Sequence, residues 1–321
     1  MSGPLSVWDV ALIAVKALTY AGTLCAAGAV FFLGYCGSLA SAADRSRIRN
    51  AVWSLSILAI VGGGAQIMVS AGSMSDSASG MWDGSLLRMI WQAGAGRANA
   101  IRDLGLALAA LGMARHRPSW WSLVGALAAA ISFAWIGHAR ALNSGWAPML
   151  LVSVHLLGVA FWLGALPALE VIARDRDSPD RPSATVAAPV ARFGAAALFV
   201  VGGLTVAGLG LLWILLGDFA QLWRSAYGRY FMLKLTLVAA LLCLAAFNKL
   251  SLTPRLLVGD TRALQALRTS IRLELLLGAL ILLATATLTT ITGPPALERH
   301  PDAAPARGLQ WPSVSIISKG V

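Results

Sequence analysis

Two histidines stand in runs of residues that belong in hydrocarbon. His138 lies in Ile136-Gly137-His138-Ala139, and His155 lies in Ser153-Val154-His155-Leu156-Leu157-Gly158. An ionisable group inside a bilayer is costly and asks for a reason. The connection between the two apolar runs is short, so they predict antiparallel neighbours with both imidazoles at similar depth, roughly 6–10 Å below one membrane surface at a rise of 1.5 Å per residue. Neutral imidazole ligates copper, zinc, iron and nickel. It also serves as a hydrogen-bonding group between helices, and the residues alone leave both readings open. His116 and His300 fall in a loop and in the tail, where solvation explains them.

Methionine follows the same side of the chain. Met68, Met74, Met81, Met89, Met149 and Met232 all map to the outer half of the expected bundle or to its outer loops, and Met113 maps to the inner half. A thioether is a soft ligand that selects Cu(I), although methionine is also a flexible core filler. Met74 and Met81 fall in a polar connection, where lipid packing gives no reason for them. His138, His155, Met68, Met74, Met81 and Met149 are therefore the candidate metal ligands. Lys16 and Lys234 lie within apolar runs and either snorkel to the surface or line a path. At the inner side Glu170, Arg192, Asn248, Lys249, Arg272 and Glu274 form a polar set, with Asn248, Lys249 and Glu274 as its centre. It reads either as interfacial ion pairing or as a cytoplasmic gate. Cys36 and Cys243 fall towards the same end, where a thiolate receiving Cu(I) is conceivable. With Cys25 they form no CxxC pair and no disulfide framework.

The elements that must position these groups follow from composition. The chain has 321 residues, 58% hydrophobic and 12% charged, where a soluble domain has about 25% charged. Soluble, secreted and disordered classes are excluded, leaving a polytopic membrane protein. The net charge of +11 sits in short runs between apolar segments. It anchors the chain to anionic lipid and does not indicate a nucleic-acid partner. Eight segments reach the length a spanning helix needs, near 9–37, 51–72, 98–114, 119–141, 148–170, 192–216, 229–249 and 272–292. The expected fold is an all-α bundle of about eight transmembrane helices.

Alternate connections hold fourteen basic residues on one side and six on the other. The richer side is expected to be cytoplasmic, which places both termini in the periplasm. Trp8, Trp82, Trp91, Trp146 and Trp223 mark the outer interface, and Trp53, Trp120 and Trp121 mark the inner one. The N-terminus lacks a basic region, so no cleavable signal peptide is expected. Gly293-Pro294-Pro295 ends the last span, because proline cannot continue a helix. No Walker A, G-x-S-x-G, HExxH or strand-linked GxGxxG pattern is present, and no enzymatic activity is expected.

Several motifs stand in order: Gly137-His138-Ala139, the stretch from Val154-His155-Leu156-Leu157-Gly158 through Phe161-Trp162-Leu163-Gly164-Ala165-Leu166, Tyr227-Gly228-Arg229-Tyr230 with Lys234-Leu235, Phe247-Asn248-Lys249 with Pro254-Arg255-Leu256, and Arg272-Leu273-Glu274-Leu275 leading to Gly293-Pro294-Pro295. Together they resemble the CopD family of bacterial inner-membrane copper resistance proteins. The resemblance covers about residues 120–295, and Lys16-Ala17-Leu18-Thr19-Tyr20 fits the family's opening helix more loosely. It divides the chain into a three-span region at 1–115, the paired-histidine spans at 116–188, a core module at 189–293 and a tail at 294–321.

The resemblance implies eight spans, copper homeostasis at the bacterial inner membrane, and a separate periplasmic copper-binding partner of the CopC type. The connection at 73–97 is the candidate docking surface for that partner. On this reading the outer methionines collect Cu(I), His138 and His155 take it up, and it passes between spans four to eight to the inner polar set. Two other readings stay open. The paired histidines would suit a haem-binding redox protein, and the chain would also suit a non-transporting scaffold for the CopC-type chaperone.

Overall fold

A computed structural model describes residues 5–113, 118–135, 146–174, 184–216, 220–224 and 226–291. Their regular elements are all helical: α1 Val7–Cys36, α2 Ala42–Ser75, α3 Gly84–Gln92, α4 Gly94–Leu111, α5 Trp120–Ile131, α6 Ala147–Arg174, α7 Ala184–Leu216, α8 Gln221–Arg224, α9 Ala226–Phe247, α10 Thr253–Leu257 and α11 Thr261–Ile291. A π-helical segment, Asn248–Leu252, joins α9 to α10. His138 and the tail fall outside the described residues.

Six stretches are long and apolar enough to cross a bilayer: Val7–Leu39, Ala42–Ser75, Ala147–Arg174, Val186–Ile214, Tyr227–Leu257 and Thr261–Ile291. They coincide with six of the eight expected segments. The other two are helical and shorter. α4 has 18 residues and carries Arg97, Arg102 and Asp103. α5 continues as a 3-10 turn, Ser132–Trp135. These two pack against each other as an antiparallel pair.

Helix ends depart from the apolar runs because polar caps extend them. The Ser41 side chain accepts from the Asp44 N–H while the Asp44 carboxylate accepts from the Ser41 N–H. This capping box starts α2 well before the apolar run, so Arg45, Arg47 and Arg49 ride on the helix itself. At α11, Asp260 Oδ1 accepts from the Arg262 N–H at 2.8 Å and the Ala263 N–H at 3.3 Å. Arg262, Arg268 and Arg272 thereby become helical. The polar connection after α2 is also structured. Asp76 adopts a left-handed φ of 48° to end α2, and its carboxylate accepts from Trp8 Nε1 at 3.0 Å. A 3-10 turn, Ala78–Trp82, then leads into α3.

α1 is the centre of the bundle, packing against α2, α5, α6 and α11. Ala26, Ala27, Val30 and Phe32 are fully enclosed. The closest helix crossing is α1 on α6. A Cβ at Gly28 would overlap the Ala160 carbonyl, and one at Gly164 would overlap the Gly28 backbone. Small residues at these places let two backbones approach, the usual basis of helix association in lipid. α7 closes the other side of α6, with Leu204 against Gly158 and Leu151 against Gly210. Its outward face exposes Phe199, Val206 and Trp213.

Candidate functional site

The C-terminal helices enclose a cavity of about 260 Å³. α6 contributes Trp162, Leu166 and Leu169; α7 contributes Val190, Phe193 and Ala197; α9 and its π segment contribute Leu242, Asn248 and Lys249; α11 contributes Ile271 and Glu274. Most of the wall is apolar, and its polar groups meet around one carboxylate. Glu274 is 4% exposed. Its Oε2 accepts from Trp162 Nε1 at 3.4 Å, and its Oε1 accepts from Asn248 Nδ2. Both donors are neutral.

The π segment places Asn248. Pro254 brings no N–H to the helical ladder and crowds the preceding turn. The Thr253 N–H reaches back to the Asn248 carbonyl, and the Thr253 hydroxyl donates to the same oxygen at 2.9 Å. The widened turn aims the Asn248 amide at α11 and the Lys249 side chain at α7, where Nζ donates to the Gly194 carbonyl at 2.6 Å. Such bulges recur at functional sites, because the shifted register re-aims side chains.

The inner polar set expected from sequence resolves into separate groups. Asn248 and Glu274 are joined. Lys249 lines the same cavity but bonds to backbone. Glu170 Oε1 accepts from Arg272 Nε at 2.9 Å and Arg174 Nε at 3.1 Å, forming an ion-paired knot. Arg192 lies over the Tyr35 ring, 4.8 Å from its centroid, and donates to the Ser38 hydroxyl at 3.5 Å.

The expected outer ligands that are described stand on α2, the 3-10 turn after it and α6. His138 lies outside the described residues. His155 is half-buried on α6, against the Leu204 backbone of α7 and near Lys234 of α9. Its Nδ1 has no hydrogen-bond partner. Met68 and Met74 are half-buried on α2, Met149 is half-buried in the first turn of α6, and Met81 is half-buried in the 3-10 turn. Met81 packs beside Gly72, where the Trp8 ring also sits. Among the described residues no three His, Cys, Asp or Glu side chains cluster as a metal site. The described cysteines Cys25, Cys36 and Cys243 are free. Lys16 reaches the end of α11, where its Nζ donates to the Thr290 hydroxyl at 2.9 Å and the Thr289 carbonyl at 3.3 Å.

Sequence reasoning missed one buried group. Arg102, one of the six basic residues assigned to the outer side, is 2% exposed in the middle of α4. It donates to Asn99 Oδ1 and lies over the Phe133 ring, 4.9 Å from the centroid. Asn99 Nδ2 donates to Asp103 Oδ2 at 3.0 Å, so an amide bridges the two charges. The signal was available: Asn99, Arg102 and Asp103 stand at i, i+3 and i+4, one face of a helix.

Comparison with known proteins falls on both halves of the bundle. Residues 187–288 match the family described as copper resistance protein D. Residues 7–149 match the copper resistance protein D-like N-terminal domain. One curated relative, described as copper transport protein CutJ of Bacillus subtilis (strain 168), is 27% identical over 169 residues. That match covers 52% of this chain and 30% of the relative, so the chain spans about a third of the relative's length. No solved structure matches the chain.

Proposed function

This chain belongs to the copper resistance protein D family, and on that premise we propose that it carries copper ions across the bacterial inner membrane. Copper is its cargo. The six long apolar helices support a multi-pass protein, and α4 with α5 complete eight spans with both termini in the periplasm. Copper arrives from that side as Cu(I). Met68, Met74, Met81 and Met149 offer soft sulfur along the approach, and His138 with His155 form the uptake site. A separate periplasmic protein of the CopC type delivers the metal to the face formed by α3 and the turn before it.

The observation that carries this reading is Glu274. It is a buried carboxylate held by two neutral donors, facing a cavity within the segment matched to copper resistance protein D. A carboxylate is too hard to be a preferred Cu(I) ligand. Its part is electrostatic: when ionised, a carboxylate in a low dielectric lowers the energy of a cation passing it. Trp162 and Asn248 hold the carboxylate in place without cancelling that charge. Lys249 bonds to the Gly194 carbonyl and not to Glu274.

Copper accumulation in cells tests the reading. Cells that express the chain are expected to take up copper faster than cells without it, and Glu274→Gln is expected to reduce that excess about ten-fold, the equivalent of 1.4 kcal/mol in the barrier. Equal accumulation with and without the protein would overturn the transport reading.

A further inference from the structure

The cavity beside Glu274 is larger than a passing ion requires. A cavity of roughly 150 Å³ takes a benzene ring, and this one measures about 260 Å³. Its long wall is hydrocarbon, from Leu166, Val190, Phe193, Ala197, Leu242 and Ala245. Its acceptors gather at one pole. Asn248 is 8% exposed, and its Oδ1 is buried without a partner. Glu274 receives one hydrogen bond at each oxygen, while a carboxylate has about four acceptor positions. An orphaned buried acceptor is costly and favours any donor that reaches it.

The cavity also has a way in from the side. Its lining includes Leu198, 60% exposed, and Ala246, also exposed. These stand on α7 and α9, which flank the cavity and hardly touch each other. The next residue of α7, Phe199, is also exposed to the surroundings. In a bilayer the gap between the two helices faces lipid.

We infer that the cavity seats a lipophile drawn from the bilayer, with a hydroxyl head donating to Asn248 Oδ1 and Glu274 and an apolar body lying along α7 and α9. A neutral hydroxyl enters through hydrocarbon without the cost of moving a charge there. Trp162 lines the cavity beside the pole and brings an aromatic ring near a phenolic head. The inference needs the helices to lie in a bilayer, and it stands apart from whether copper crosses.

Binding of radiolabelled 4-octylphenol to the full chain in lipid nanodiscs is the test. Saturable binding is expected, with 4-octylanisole, its methyl ether without a donor, about ten-fold weaker. Asn248→Leu is expected to weaken 4-octylphenol by a similar factor. Ala197→Trp, which fills the cavity from its α7 wall and changes neither Asn248 nor Glu274, is expected to abolish binding while the protein keeps its melting temperature. A preference for 4-octylphenol over 1-dodecanol would assign the site to phenolic lipids, and the reverse preference to acyl alcohols; both keep the hydroxyl head. Equal binding of the anisole, or full binding to Ala197→Trp, would overturn the inference.

Discussion

Glu170 and Glu274 are buried carboxylates that the molecule treats in opposite ways. Arg174 and Arg272 neutralise Glu170, and neutral donors alone hold Glu274. The sequence offered all of these residue types at one end of the bundle, but not their pairing, which depends on the rotation of each helix and on the widened turn at Asn248–Leu252. Arg102 shows the same limit. A lone basic residue does not announce its burial, and only packing against Phe133 and Asn99 reveals a buried group. At the outer side the account rests on His155 and on His138. Anaerobic Cu(I) titration of the purified protein against a competing chelator is expected to show that the His138→Ala/His155→Ala double variant binds at least about ten-fold more weakly than wild type. Unchanged affinity would move the copper site to the methionines or the loops.

Among the elements, the crossing of α1 and α6 is the tightest joint. Gly28→Ala is expected to lower stability by about 1–3 kcal/mol, the usual cost of overpacking, and to lower the thermal midpoint. Gly202→Ala, where an added Cβ meets open space, is expected to leave the midpoint unchanged or raise it, since alanine favours helix over glycine. Equal effects would place the crossing elsewhere. The start of α3 gives a pH-dependent prediction outside the spans. The Ser85 hydroxyl, then the Ser85 and Leu86 N–H groups, donate to Asp83 and hold its carboxyl below the ordinary value of 3.8. A lowered folded pKa means the cap is complete above the ordinary carboxylate range and lost as pH falls through the lowered value. The amide resonances of Ser85 and Leu86 are expected to titrate there in wild type and to show no such titration in Asp83→Ala. Helix existence was legible because long apolar runs have few alternatives. Helix ends were less so, because Ser41, Asp44 and Asp260 carry the chain into helix before the apolar residues begin.

At the scale of the whole molecule, the apolar excess made a multi-pass bundle legible, and the motifs from Gly137 to Pro295 made its family legible. The count of spans was harder to read, because α4 carries three charged residues and α5 is short. The proposed eight spans would place both ends of the chain outside. Single cysteines added beside Ser6 and beyond Pro295, in a variant free of native cysteines, are therefore expected to react with an impermeant maleimide in intact spheroplasts. A cysteine at Arg255 is expected to react only after lysis. The claim that binds these scales together is that copper passes through the protein. Its most direct test is Cu(I) flux into liposomes holding the purified chain, followed with an entrapped copper-responsive dye. The account predicts flux above that of empty liposomes, about ten-fold slower with Glu274→Gln and lost with His138→Ala/His155→Ala. Flux no faster than in empty liposomes would contradict it.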